Sequence, residues 1–146
     1  MEKNNRIIDR IEECERLDRC MRSDSSQLVV VYGRRRVGKT FLINEYFNYK
    51  FAFKLTGVYG EKRKIQLRNF ALELNRRTGV KQEDPKDWTE AFSYLRSYME
   101  SLDSSVKQVV FLDELPWLDS KRSGFLSAFE YFWNDYASTK HNFIFV

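Results

Sequence analysis

Residues 28–41 read LVVVYGRRRVGKTF: an apolar run stopped by Gly33, three arginines, and then Gly38-Lys39-Thr40. No other stretch restricts the fold so far. The run is bounded by the polar turn SDSSQ before it and by Gly33 after it, which suits a strand buried on both faces, as in a parallel sheet. KTFLINEYF beyond the loop has the pattern of a short helix. Gly33 to Thr40 satisfies G-x-x-x-x-G-K-[ST] at every fixed position. Average residue frequencies put a chance match in a chain of 146 residues at roughly one in two hundred. The competing reading, a solvated basic turn, explains neither the strand before the motif nor the helix after it.

Each residue type in the loop has a physical reason to be there. Gly33 and Gly38 permit backbone angles and close approach that a side chain would block, so successive N–H groups can turn inward around a phosphate. Lys39 would bridge β- and γ-phosphates. The Thr40 hydroxyl can ligate Mg²⁺, and the N-terminus of the helix favours the anion. The whole segment Gly33, Arg34, Arg35, Arg36, Val37, Gly38, Lys39, Thr40 and Phe41 is therefore the expected nucleotide cradle. The three guanidinium groups raise the positive potential at its mouth. Arg34 is expected to face solvent or a packing partner, and the contacts of Arg35 and Arg36 stay open.

A phosphate loop of this kind needs an acid at the end of a buried strand to hold the metal. Val109-Val110-Phe111-Leu112-Asp113-Glu114 supplies four apolar residues and then two carboxylates. Asp113 would hold Mg²⁺ directly or through water, and Glu114 would polarise a water for attack on the γ-phosphate. Alone, an apolar run ending in two acids is a common strand end; paired with the upstream loop it carries weight. The Asp-Glu pair favours hydrolysis over binding alone, since a switch-type GTPase would carry a DxxG turn here, and no N/T-K-x-D guanine signature occurs.

The rest of the chain supports a layered α/β domain. Ile7, Ile11, Cys14, Leu17 and Met21 recur at helical spacing, KFAFKL alternates like a strand, and EKRKIQLRNFALELNRRTG places Leu67, Phe70, Ala71 and Leu74 on one face before a glycine stop. Asp87 and Glu90 resemble a capping box ahead of the stripe Trp88, Phe92, Leu95, Met99 and Leu102. KQVVFLD predicts a third strand and NFIFV a fourth. Between them GFLSAFEYFWNDYAS predicts a helix with Leu126, Phe129, Trp133 and Tyr136 on its buried side. Helices alternating with strands in this order imply an α/β fold on a mostly parallel sheet. Tyr59, Tyr131 and Trp133 are expected in the core, whereas Trp117 lies in the loop after Asp113-Glu114.

Composition narrows the rest. The chain has room for one domain, its 42% hydrophobic content is enough for a packed core, and the balance of 25 basic against 21 acidic residues gives +4. That excess suits polyanions but does not choose between a nucleotide and a nucleic acid. No run is long enough to span a bilayer, and MEKNNRIIDRIEE lacks the apolar region of a secretory signal, so a cytoplasmic location is expected. Cys14 and Cys20 lack metal-site spacing, and His141 is the sole histidine.

With both motifs in place, the chain resembles the archaeal-type ATPase family, a branch of P-loop ATPases close to the AAA+ and STAND groups. VVVYGRRRVGKTFLINEYF and VVFLDELPWLD carry the resemblance, which runs from about Ile7 to Val146. Asp9-Arg10-Ile11-Glu12-Glu13-Cys14 is similar to the family's N-terminal Gly/Asp-Arg-Glu-x-Glu-Leu box, with Arg10 and Glu13 kept and Ile11 and Cys14 departing. The resemblance implies that residues 1–146 are a P-loop ATPase core, a three-layer sandwich with sheet order 5-1-4-3-2 that stops after its fourth strand. It implies ATP and Mg²⁺ as ligands and Arg10 beside the adenine. Relatives place a γ-phosphate sensor and further segments beyond this point, and no arginine finger can be assigned. Residues 1–146 alone are therefore expected to hydrolyse ATP slowly or not at all, acting on a protein partner or on a C-terminal region of the same protein. The rival reading is a non-catalytic interaction or nucleic-acid-binding module with a vestigial loop. A P-loop kinase is disfavoured because no acceptor-substrate signature is visible. A steep salt dependence of DNA affinity, without competition by ATP, is the outcome that would favour the rival.

Overall fold

The computed structural model describes residues 11–31 and 38–146. In chain order the elements are α1 (Ile11–Arg22), β1 (Gln27–Leu28), α2 (Lys39–Tyr46), β2 (Phe53–Thr56), α3 (Arg63–Thr78), α4 (Trp88–Glu100), β3 (Gln108–Asp113), α5 (Leu115–Leu118), α6 (Phe125–Asp135), a 3₁₀ turn (Ala137–Thr139) and β4 (Phe143–Phe145). The four strands form one sheet of order β1-β4-β3-β2, and every neighbouring pair is parallel. This is the 1-4-3-2 part of the order that the resemblance implies, with β4 between β1 and β3.

Side-chain alternation along the strands divides the core into two layers. Val109, Phe111 and Ile144 join Cys14, Leu17, Leu42, Ile43, Tyr46, Phe47 and Phe51 on the face covered by α1 and α2. Val110, Leu112, Phe143 and Phe145 point the other way, into a larger cluster built from α3, α4 and α6. Parallel strands buried on both faces need covers on both, and the alternation of helices along the chain provides them.

Local signals explain most element ends. Gly79 adopts φ 72° and its N–H closes on the Asn75 carbonyl at 2.9 Å, ending α3. Asp87 Oδ1 accepts from Glu90 N at 2.8 Å and caps α4. The reciprocal arm of the expected box goes elsewhere: Glu90 Oε1 accepts from Lys86 N at 3.3 Å.

Three expectations are corrected. The apolar run at 28–31 is not buried on both faces: Leu28 is 44% and Val30 54% exposed, and regular pairing covers Gln27 and Leu28 alone. β1 is the edge of the described sheet, so one side of the run meets solvent. On α6 the buried side is Phe125, Ala128, Phe129 and Phe132, continued by Tyr136; Leu126 is exposed and Trp133 partly so. Phe129 and Tyr136 are buried as expected, and the stripe shifts toward Phe125 and Phe132, where Phe92 of α4 packs against Phe125, Phe129 and Phe132. Tyr59 and Tyr131, expected in the core, are 67% and 66% exposed.

Phe92 meets five aromatic rings, those of Phe70, Trp88, Phe125, Phe129 and Phe132. Phe92→Ala should cost about 3–5 kcal/mol, read as a lower urea midpoint. Across the sheet, Tyr46 of α2 donates to Asp18 Oδ1 of α1, and burial, followed by this bond, pushes the phenol above its ordinary value of 10.0. The folded state then holds the proton more tightly than the unfolded chain. That contribution is complete below pH 10 and is lost as the pH rises further. Tyr46→Phe should therefore flatten the loss of stability above about pH 10, measured as urea midpoints across the alkaline range.

Candidate functional site

The site is built where the parallel strands deliver their C-terminal ends. Thr56 of β2 stands beside Asp113 of β3 in the sheet register, so the last residues of both strands reach the same edge. α2 begins at this edge. Gly38 precedes it at φ 80° and ψ 22°, a left-handed conformation that glycine adopts without steric cost, and its carbonyl accepts the first helical bond from Leu42 N at 2.9 Å. The helix is fixed by Leu42 and Ile43, both almost fully buried in the α1–α2 layer.

Thr40, in the first turn of α2, points its hydroxyl at Asp113. Oγ1 lies 2.9 Å from Oδ2 and 3.0 Å from Oδ1 of a residue 73 positions away in sequence. The same Oδ1 accepts from Glu114 N at 3.0 Å. The two motifs recognised in the sequence thus meet through a hydroxyl and a carboxylate, both hard oxygen donors. Lys39 starts α2 next to them and is partly exposed, and Phe41 is 48% exposed. Gly33, Arg34, Arg35, Arg36, Val37 and Arg10 lie outside the described residues.

Glu114 follows Asp113 with φ 54° and ψ 46°, again left-handed, and here the residue is not glycine. α5 begins immediately after it and Trp117 N bonds back to the Glu114 carbonyl at 3.0 Å. The segment after β2 crosses close by: Gly57 N donates to the Asp113 carbonyl at 2.9 Å, and a Cβ on Gly57 would lie 2.5 Å from the Glu114 carbonyl oxygen. Only glycine permits that approach. Gln66 of α3, fully buried, also reaches this region through its side-chain amide. Neither Gly57 nor Gln66 is evident from the motifs. The signal for Gln66 is a polar residue on the α3 stripe, four before Phe70 and eight before Leu74.

Near the start of α2, an apolar groove of about 270 Å³ runs between α1, the segment that follows β1, and α2, with Leu17, Cys20, Val29, Val31, Leu42 and Ile43 among its lining residues. Glu13, kept from the N-terminal box, lies at its edge.

Thr40→Val removes the hydroxyl's forked hydrogen bond to the Asp113 carboxylate and keeps the side-chain shape. Among charge-assisted bonds at a part-buried position, a loss of about 1–3 kcal/mol is expected, measured by urea unfolding without nucleotide.

Comparison with known proteins agrees with this arrangement. Residues 7–146 match the profile of a family described as an ATPase domain predominantly from Archaea. An uncharacterized protein of Methanocaldococcus jannaschii is 26% identical over 124 residues, covering 85% of this chain and 25% of that protein. An uncharacterized ATP-binding protein of the same organism is 44% identical over 44 residues, covering 30% of this chain and 75% of that protein. The chain therefore spans about a quarter of the first relative's length. With its parallel sheet and a match over nearly its whole length, the chain belongs to the family of ATPase domains found predominantly in Archaea.

Proposed function

We propose that the domain binds ATP with Mg²⁺ and contributes the hydrolytic residues of an ATPase. The observation that carries this reading is the bond from Thr40 at the start of α2 to Asp113 at the end of β3, which joins two motifs 73 residues apart. A relative described as ATP-binding supports the choice of nucleotide.

The donor set fits Mg²⁺. This ion prefers a few protein oxygens and keeps its remaining positions for water and substrate phosphate, so no cage of three or more protein ligands is needed. The described residues contain no such cage, and they do contain the Thr40 hydroxyl beside the Asp113 carboxylate. The bound ion would neutralise charge on the phosphates. Lys39 supplies a positive charge next to the glycine-capped helix start and would pair with the β- and γ-phosphates, while the N–H groups of the first turn of α2 favour the anion.

Glu114 would accept a proton from, or orient, the water that attacks the γ-phosphorus. Water adds as the bond to the β–γ bridging oxygen breaks, giving ADP and inorganic phosphate. Gly33 to Val37, outside the described residues, would enclose the phosphates through backbone N–H groups.

Titration with ATP and GTP in the presence of Mg²⁺ tests the reading directly. ATP is expected to bind more tightly, and Lys39→Glu should weaken it at least about a hundredfold, roughly 3 kcal/mol, while the circular dichroism spectrum is kept. Undiminished ATP affinity in that variant would sink the proposal. In the complete natural polypeptide, Glu114→Gln should lower turnover by about 10²–10⁴ and leave ATP bound.

A further inference from the structure

Glu114 presents a physical problem. A carboxylate residue at φ 54° and ψ 46° is held where side chains other than glycine pay about 1–2 kcal/mol, and such a conformation persists only when its surroundings enforce it. The enforcing contacts come from the segment that joins β2 to α3 and from α3 itself.

Two of them grip the Glu114–Trp117 turn at opposite ends. At its start, Gly57 N donates to the Asp113 carbonyl, and the Gly57 backbone lies so close that an added Cβ would sit 2.5 Å from Glu114 O, 3.0 Å from Leu118 N and 3.0 Å from Trp117 Cβ. At its end, Gln66 Nε2 donates to the Trp117 carbonyl at 3.2 Å. The same amide holds the β2–α3 segment itself: Nε2 lies 2.9 Å from Val58 O and 3.4 Å from Glu61 O, and Oε1 accepts from Val58 N at 3.2 Å. A side chain with 0% exposure that bonds at both ends of its amide cannot be replaced by an apolar one without orphaning backbone groups on two segments at once. The Tyr59 and Trp117 rings add an edge-on contact with centroids 4.7 Å apart between the same two segments.

We infer that Gln66 is a positioning residue for Glu114: its buried amide, with the close approach of Gly57, locks the turn after β3 in the strained form that aims Glu114 at the phosphate site. This rests on the reading of Glu114 as the residue that orients the attacking water. Gln66 itself touches no substrate. It lies on α3, in the layer opposite α2, so removing its amide acts first on the turn that carries Glu114 and touches neither Lys39 nor Thr40 directly.

The test uses the complete natural polypeptide, with Mg²⁺-dependent turnover and the affinity for a non-hydrolysable ATP analogue measured in parallel. Gln66→Met keeps the length of the side chain and loses its hydrogen bonds. It should lower kcat about tenfold or more while KM and analogue affinity stay within about twofold. Gly57→Ala, acting on the same turn from the backbone, should give the same split and provides the measurement if Gln66→Met does not fold. Each substitution should cost far less when added to Glu114→Gln, because the group it positions is already gone. If the unaltered protein neither binds the analogue nor turns over ATP, the reading of the site itself fails. If it does both and Glu114→Gln abolishes turnover, yet the folded variant keeps kcat, raises KM instead, or adds its full effect to Glu114→Gln, the positioning role is overturned alone.

Discussion

Parallel pairing around β3 is the constraint on which the site depends. Val110, Phe111, Leu112 and Asp113 stand in register with Phe53, Lys54, Leu55 and Thr56 on one side, and Gln108 to Val110 pair with Phe143 to Phe145 on the other. Because all strands run the same way, their C-terminal ends gather at one edge, and the polar residues that follow the apolar runs are brought together there. A shift of one residue in β3 would turn Val110 and Leu112 out of the larger core and carry Asp113 away from Thr40. The apolar register and the placement of the carboxylate are thus one decision.

The two residues that meet across this edge owe their positions to different layers. Thr40 rides on α2, held by Leu42, Ile43, Tyr46 and Phe47 against Val109, Phe111 and Ile144. The turn carrying Glu114 is braced by α3 and the β2–α3 segment, with Leu118 and Leu67 in the opposite cluster. Asp113 ends the strand between the two layers and bonds to both sides, to Thr40 Oγ1 and to Glu114 N. Function of the proposed kind requires both layers to be docked on the sheet.

Much of this was legible in the residues alone. Fixed spacing singled out Gly38, Lys39 and Thr40 as candidates and an apolar run ending in acids singled out Asp113 and Glu114, and the fold brings Thr40 and Asp113 together. Capping by Asp87 and the stop at Gly79 were legible for the same local reason. Burial of LVVV was overread, since an apolar run does not say whether its strand is central or at an edge. On α6 the sequence FLSAFEYFWNDY carries two overlapping apolar stripes, and only the rings of α4 select the one with Phe125 and Phe132. Gln66 was missed because its partner at Trp117 is 51 residues away, and no local pattern encodes a side chain bonded to a distant carbonyl.

The unequal size of the two cores bears on how the domain opens. Among the described residues the cluster on the α3, α4 and α6 side holds 21 buried side chains, against 10 on the side of α1 and α2. Fluctuations that release α1 and α2 cost less apolar burial than those that release the other layer, so amide protons of α2 would exchange with solvent through partial opening, ahead of those of α4 and β3. Such an opening separates Thr40 from Asp113 while the Gln66 clasp on the neighbouring turn stays closed. A ligand that bridged the start of α2 and the end of β3 would suppress it, and its binding would be visible as slowed exchange along α2.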